Sequence, residues 1–254
     1  MSKLILVRHG ESKWNLVNKF TGQIDVAISA RGVRQCVYLS EKIRRLDIDC
    51  AFCSCLARSK ETISILMSRM KNSGVFIDEN YTFYSWDEVS RYPSCVPDVP
   101  IFTNCVLNER HYGDLQGMDK DEARQKYGEE AVLGWRRGFA DRPPQGESLL
   151  DVYNRTIPYF QGRIVPLLQE GKNLIISAHG NSLRSIIKYI ENISNDKIAF
   201  LEIYTGQMMV YHFENNKFTS QIDKLSFERP IAWEKVDRIL KPKNIFNSLL
   251  NKKK

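Results

Sequence analysis

Lys3-Leu4-Ile5-Leu6-Val7-Arg8-His9-Gly10-Glu11-Ser12 carries an apolar strand straight into a His-Gly pair and a helix start. Asn173-Leu174-Ile175-Ile176-Ser177-Ala178-His179-Gly180-Asn181-Ser182 repeats that junction far downstream. A histidine leaving the carboxyl end of a buried strand sits where open α/β sheets hold their ligands. The glycine is expected to let backbone approach the ligand, and the following helix offers free N–H groups to an anion. The chain has four histidines, and two of them occupy these matched positions.

Further strand patterns lie at Cys50–Cys53, about Val75–Ile77 and Gln207–Phe213. Helical patterns separate them. Ser29 is placed to cap a helix whose inner face holds Val33, Val37 and Ser40 or Ile43. Leu183, Ile186, Ile187 and Ile190 follow the i, i+3, i+4, i+7 rule of a helix with one apolar face. Glu147–Leu168 is helical in pattern, with Pro158 expected to kink or break it. Strands alternating with helices predict an α/β fold, with a mostly parallel sheet covered on both faces in a single domain.

With 254 residues, 43% hydrophobic and 26% charged, the composition is that of an ordinary globular protein. No apolar run approaches the ~20 residues that span a bilayer. Met1-Ser2-Lys3 leads directly into a strand, so no signal peptide is expected and the cytoplasm is the expected compartment. From Lys224 to Lys254 there are nine Lys/Arg against three Asp/Glu, so this tail holds +6 of the net +7. The near-neutral body argues against a nucleic-acid surface spread over the fold, and Lys252-Lys253-Lys254 reads as a solvated end. The six cysteines are expected as thiols in that compartment. Cys50 and Cys53, three apart on a strand, face opposite ways and cannot share a metal.

Arg8-His9-Gly10-Glu11-Ser12-Lys13-Trp14-Asn15, followed by Phe20-Thr21-Gly22, resembles the signature of the histidine phosphatase superfamily. Three later blocks agree in order. They are Leu107-Asn108-Glu109-Arg110-His111-Tyr112-Gly113 with Leu115-Gln116-Gly117, then Trp135-Arg136-Arg137-Gly138-Phe139, then His179-Gly180-Asn181-Ser182-Leu183-Arg184. The resemblance is to the cofactor-dependent phosphoglycerate mutase branch and covers residues 3 to about 213.

What the resemblance implies can be matched to chemistry. An imidazole nitrogen is a competent nucleophile toward phosphorus, and His9 holds that position. Arg8 and Arg58 would supply forked donors to the phosphoryl oxygens and His179 a further donor. Glu109 holds the acid/base position. Glu11 is a nearby carboxylate whose place suits binding or support of a helix start. Gly10, Glu11, Ser12, Asn15, Thr21, Gly22, Arg110, Tyr112, Lys120, Arg136, Arg137, Gly180 and Asn181 match the substrate-binding positions. Of these, Arg110, Lys120, Arg136 and Arg137 would grip the carboxylate and second phosphate of a phosphoglycerate. His111 and His212 have no such context and read as structural.

The implied reaction is interconversion of 3-phosphoglycerate and 2-phosphoglycerate, primed by 2,3-bisphosphoglycerate and without a metal, in glycolysis and gluconeogenesis. The implied partners are small phosphoglycerates, with no nucleic acid and no membrane, in a homodimer or homotetramer. A bisphosphoglycerate synthase or phosphatase and a broader phosphomonoesterase share the central residues and are the nearest alternatives. The four clamp cations favour a site for a second anion, and Ser12 resembles the mutases rather than the synthases. Arg8 and Arg58 would repel a divalent cation, which disfavours a metal enzyme. A catalytically dead scaffold is disfavoured because every expected catalytic residue is present.

Residues of about 81–105, rich in Pro, Tyr and Cys, read as an irregular insertion in a catalytic domain spanning 1–225. Residues 226–254 read as a basic C-terminal tail. Both are expected to be accessory to the chemistry.

Overall fold

Strand β1 (Ser2–Arg8) lies beside β5 (Leu174–Ala178) in parallel, with Leu4 opposite Leu174 and Arg8 opposite Ala178. In this computed structural model, which describes residues 1–80 and 98–221, the two His-Gly junctions therefore leave neighbouring strands at one level. β2 (Cys50–Cys53), β3 (Gly74–Asp78) and β4 (Val99–Thr103) extend the parallel part. β6 (Met208–Glu214) and β7 (Lys217–Gln221) add two antiparallel strands beyond β1. The sheet order is β3-β4-β2-β5-β1-β6-β7.

Alternate residues of the central strands enter two cores, because side chains along a strand point to opposite faces. Ile5, Val7, Ala51, Cys53 and Ile175 pack with Leu39 and Ile43 of α2 (Ala30–Ile43) and with Ile63 and Leu66 of α3 (Ala57–Met67). Leu4, Leu6, Cys50, Phe52 and Ile176 pack on the other face, so Cys50 and Cys53 are parted as their spacing requires. Their cover there includes Phe160, Ile164, Leu183, Ile186 and Ile187. These strands read as unbroken apolar runs because helices exclude water from both faces.

Ser29 caps α2, its Oγ accepting the Gly32 N–H at 3.0 Å. The buried face of α2 is Gln35, Cys36, Leu39, Ser40 and Ile43, whereas Val33 is exposed, so the expected stripe is rotated. Gly32 packs against the backbone of Glu11, where a Cβ would lie 2.3 Å from the Glu11 carbonyl oxygen. That contact turns the helix and sends Val33 outward.

Pro158 does not stop the helical run. It falls in the last turn of α6 (Leu149–Tyr159, the sixth α-helix among the described residues), and the chain widens into a π-helical turn at Phe160–Ile164. It then regains α-helix in α7 (Val165–Gln169). The missing N–H and the ring's conflict with the preceding turn are absorbed by looser winding.

The expectation of an irregular stretch through 105 is corrected at its end. Val99–Thr103 is a fully buried strand between β3 and β2. Its Pro100 disguised it, but Pro100 pairs opposite Val75 of the edge strand β3. Residues 81–97 and the basic tail 226–254 lie outside the described residues. Among the described residues, no helix is long and apolar enough to cross a membrane.

Candidate active site

The carboxyl ends of β1 and β5 form the floor of an open cleft of about 760 Å³, counted out to its mouth. Helix α8 (Gly180–Ile190) starts at that floor, and its Asn181 faces the cleft. One wall is the segment before and after α1 (Lys13–Leu16). The helical pair α4 (Lys120–Tyr127) and α5 (Glu129–Arg137) continues that wall: the Lys120 N–H donates to the Asn18 carbonyl at 3.1 Å, and the pair rests on a small core of Phe20, Leu115, Ala123 and Val132.

His9 is buried, and its Nδ1 lies 2.7 Å from the Gly10 carbonyl oxygen. A carbonyl only accepts, so Nδ1 carries the proton and Nε2 keeps its lone pair. Burial, reinforced by the Arg58 and Arg8 charges, holds the His9 pKa well below the usual histidine range. The imidazole is therefore neutral and nucleophilic near neutrality.

The His179 ring centroid lies 4.9 Å from that of His9. Ser54 Oγ accepts the Leu56 N–H at 3.3 Å and lies 2.7 Å from His179 Nε2. With its proton donated to Nε2, the hydroxyl leaves Nδ1 as the N–H of a neutral ring. Burial followed by Arg58 holds this histidine's pKa down as well. His179 Nδ1 is buried and has no hydrogen-bond partner among the described residues, as are Arg8 Nε and Thr21 Oγ1. Three buried polar atoms in want of partners around His9 suit a ligand rich in oxygen acceptors. A bound phosphoryl group or bisphosphoglycerate fits that donor set.

Arg58 follows β2, in the first turn of α3, and is 1% exposed. Its Nη1 and Nη2 donate to the carbonyls of Ile24 (2.9 Å) and Gly22 (2.7 Å), fixing the loop that lines the cleft. Burial lowers its pKa to about 10, which leaves it cationic at neutral pH. Arg8 donates to the Ile203 carbonyl at 2.5 Å.

Glu109 Oε1 accepts three N–H groups: from Arg110 N (2.7 Å), Asn181 N (3.2 Å) and Asn181 Nδ2 (2.9 Å). Its other oxygen is left for proton exchange. Gln23 and Arg155 donate to the Glu109 carbonyl, so the backbone is held too. Lys120, Arg136 and Arg137 enter from α4 and α5. Burial, then the neighbouring Arg136, lowers the Lys120 pKa, and burial lowers that of Arg136. Such mutual repulsion marks a place prepared for anions.

Of the residues expected at the site, Arg8, His9, Asn15, Thr21, Gly22, Arg58, Glu109, Tyr112, Lys120, Arg136, Arg137, Gly180 and Asn181 line the cleft, with the His179 ring beside that of His9. Four expected binding residues do not line it. A Cβ at Gly10 would lie 2.7 Å from the Gly32 carbonyl oxygen, so this glycine admits α2 rather than a ligand. The Glu11 carboxylate accepts Ser29 Oγ (2.9 Å) and Arg31 (3.2 Å) and supports the start of α2. Ser12 caps α1, its Oγ accepting the Asn15 N–H at 3.1 Å. Arg110 is fully buried, stacked on Tyr112, and donates to the Tyr112 hydroxyl (3.1 Å) and the Arg136 carbonyl (3.3 Å). Gly10, Glu11 and Ser12 thus hold the scaffold, whereas Arg110 also keeps its buried Nε and Nη1 without a hydrogen-bond partner among the described residues.

His111 is tied internally, its Nδ1 accepting the Gly113 N–H at 3.0 Å. His212 lies on β6 opposite Lys3, away from the cleft. Lys19, Phe20, Arg184, Leu201, Glu202 and Ile203 line the cleft without having been singled out. Arg184 closes the last block of the signature, which is a legible signal. The 201–203 segment has none, because it is placed by Gly206, whose N–H donates to the carbonyls of Arg8 and His9.

Fold and site together define an α/β protein with an anion-binding cleft built on two histidines at the ends of adjacent parallel strands. The model of the histidine phosphatase superfamily (branch 1) matches residues 4–81 and 95–223, and the chain belongs to that superfamily. It is 44% identical over 225 residues to a 2,3-bisphosphoglycerate-dependent phosphoglycerate mutase of Chlamydia trachomatis, covering 89% of this chain and all of the relative. A mutase of the same name from Methanosarcina acetivorans is 39% identical, covering 87% of this chain and 95% of the relative. Two solved structures share the fold at a TM-score of 0.69. They are the YhfR protein of Bacillus stearothermophilus (21% identity, 88% of this chain and 96% of that one) and a mycobacterial glucosyl-3-phosphoglycerate phosphatase (20% identity, 87% and 98%).

Proposed function

We propose that this protein is a phosphoglycerate mutase that interconverts 3-phosphoglycerate and 2-phosphoglycerate through a phosphohistidine at His9. The observation that carries the reading is the pairing of two functions in one cleft. A neutral histidine with its phosphoryl-holding donors lies on the floor, and a second cationic group of Lys120, Arg136 and Arg137 lies on the wall. Removal of a single phosphoryl group needs only the first. The identity to two mutases at 39–44% supports the same reading.

When bound, 2,3-bisphosphoglycerate supplies the phosphoryl group that His9 carries. The His9 Nε2 lone pair would form the bond to phosphorus as the P–O bond to the donor breaks and Glu109 protonates the departing oxygen, with Arg8, Arg58 and His179 Nδ1 donating to the non-bridging oxygens. Glu109 takes the proton from the C2 hydroxyl of 3-phosphoglycerate as that oxygen attacks the phosphoryl on His9. It returns a proton to the C3 oxygen as the C3 phosphoryl passes to His9, leaving 2-phosphoglycerate. Lys120, Arg136 and Arg137 hold the carboxylate and the phosphoryl group that is not reacting. The residues suit anions throughout, and no step calls for a metal. The reaction belongs to glycolysis and gluconeogenesis in the cytoplasm.

A coupled mutase assay with and without 2,3-bisphosphoglycerate tests this. Turnover should require the primer and survive a chelator. Release of inorganic phosphate from 3-phosphoglycerate faster than isomerisation would contradict the proposal.

A further inference from the structure

Among seven cations that line the cleft, two carboxylates also line it. The Glu109 carboxylate is held by backbone and amide donors. Glu202 is different. Its Oε1 accepts Arg137 Nη2 at 2.9 Å, the one ion pair among the described residues that joins two cleft-lining side chains. The Arg137 side chain is 29% exposed and that of Glu202 48%, so the pair sits at the mouth, partly screened by water.

Glu202 is set there by the segment that follows β5 and α8 and returns to β1. Arg8 binds the Ile203 carbonyl, and Gly206 binds the carbonyls of Arg8 and His9. The Glu202 backbone is therefore held beside the nucleophile's own strand, while the carboxylate's partner Arg137 ends α5. Its charge also reaches the Arg8 and Arg136 guanidinium groups, raising the proton affinity of each.

We infer that Glu202 is an internal counter-anion that sets which phosphoglycerates the cleft retains. It occupies Arg137 when the cleft is empty and weighs against ligands in proportion to their negative charge. An entering anion must take Arg137 from Glu202 and then remain beside the displaced carboxylate. A second phosphate adds about 1.5 to 2 negative charges at neutral pH, so the penalty falls more heavily on 2,3-bisphosphoglycerate than on 3-phosphoglycerate. The monophosphate is favoured, and the bisphosphate is released more readily than a cleft of cations alone would allow. This inference rests on the phosphoglycerate reading above.

Calorimetric binding of 3-phosphoglycerate and 2,3-bisphosphoglycerate to the full chain tests it, with His9→Ala present in every protein to prevent phosphoryl transfer. Glu202→Gln should tighten both ligands and shift their affinity ratio toward the bisphosphate by on the order of threefold to tenfold. Glu202→Asp, which keeps the charge, should keep the ratio of the parent protein. An unchanged ratio in Glu202→Gln, or an equal shift in Glu202→Asp, overturns the role of Glu202 and leaves the mutase reading standing. Binding of neither ligand to any of these proteins overturns both.

Discussion

The rings of His9 and His179 lie 4.9 Å apart because Arg8 and Ala178, the residues before them, pair across adjacent parallel strands. Neighbouring strands are about 4.8 Å apart, so the sheet itself sets the spacing of the two imidazoles. The proposed nucleophile His9 and the proposed donor His179 are thus fixed by backbone hydrogen bonds of the sheet. That rigidity is what stabilisation of a phosphoryl group requires, since donors already in place cost no reorganisation during the reaction.

Ser54 fixes the tautomer of His179 through its 2.7 Å contact to Nε2. Ser54→Ala would leave either ring nitrogen free to hold the proton and would weaken the donor toward the phosphoryl group. The expected outcome is a fall in kcat of about tenfold or more, with KM changed less. Steady-state kinetics with 3-phosphoglycerate checks it, and a wild-type kcat would remove Ser54 from the account.

Glu109→Gln keeps the shape and the hydrogen-bonded side of the residue but cannot exchange a proton. The kcat should fall by about 10²–10⁴-fold with substrate binding little altered. Arg136→Ala and Lys120→Ala should weaken phosphoglycerate binding first. Indistinguishable kinetic changes in the three variants would show that acid/base and clamp roles are assigned to the wrong residues.

Arg184 is 5% exposed and joins the start of α8 to the end of α5. It donates to Asn181 Oδ1 (3.0 Å) and to the carbonyls of Arg137 (2.9 Å) and Ile198 (2.7 Å). Arg184→Met keeps the volume and strips those acceptors of their donor, at a cost of about 2–4 kcal/mol in stability. The clamp helix should loosen, so KM for 3-phosphoglycerate should rise severalfold while His9 still accepts a phosphoryl group. Denaturant midpoints and labelling of the variant check both halves, and an unchanged KM would separate Arg184 from the clamp.

The two buried histidines also fix a pH dependence. Both have pKa values well below the usual histidine range in the folded protein, from burial first and the arginines second. In the unfolded chain each titrates near 6.5. As the pH falls below about 6.5 the unfolded chain therefore binds protons that the folded chain does not, and stability is lost. The slope approaches about 1.4 kcal/mol per pH unit for each histidine, and the contribution is constant above about pH 7.5. Urea unfolding between pH 5.5 and 7.5 checks the sign. Replacing both histidines with asparagine should flatten that part of the curve. The acid limb of His9 phosphorylation should likewise lie below pH 6.5, and a limb at or above 6.5 would contradict the neutral-imidazole assignment.

Much of this was legible in the chain because strand and site coincide. Leu4–Val7 and Leu174–Ala178 announce buried strands, and each runs up to its histidine, so the sheet and the edge that carries the proposed nucleophile are read from one stretch. Ser29, the face of α8 and Arg58 after β2 were legible for similarly local reasons. β4 was not, because Pro100 in a strand is tolerated only by its particular pairing with β3. Gly10, Glu11 and Ser12 stand inside the signature, yet their contacts are with α2 and α1. A motif records which residues are needed together, without saying which of them face the ligand. Glu202 had no local pattern at all, since its place in the cleft is made by hydrogen bonds from Gly206 to a strand almost the full domain away in sequence.

The most direct test of the central claim is the fate of a labelled phosphoryl group. The protein is mixed with 2,3-bisphosphoglycerate carrying the label, freed of ligand, and then given unlabelled 3-phosphoglycerate. The account predicts one label per chain at His9, lost at low pH and kept in base. It should pass to phosphoglycerate within a single turnover, and be absent from His9→Ala. Label on another residue, or label discharged to inorganic phosphate while phosphoglycerate stays unlabelled, would contradict it.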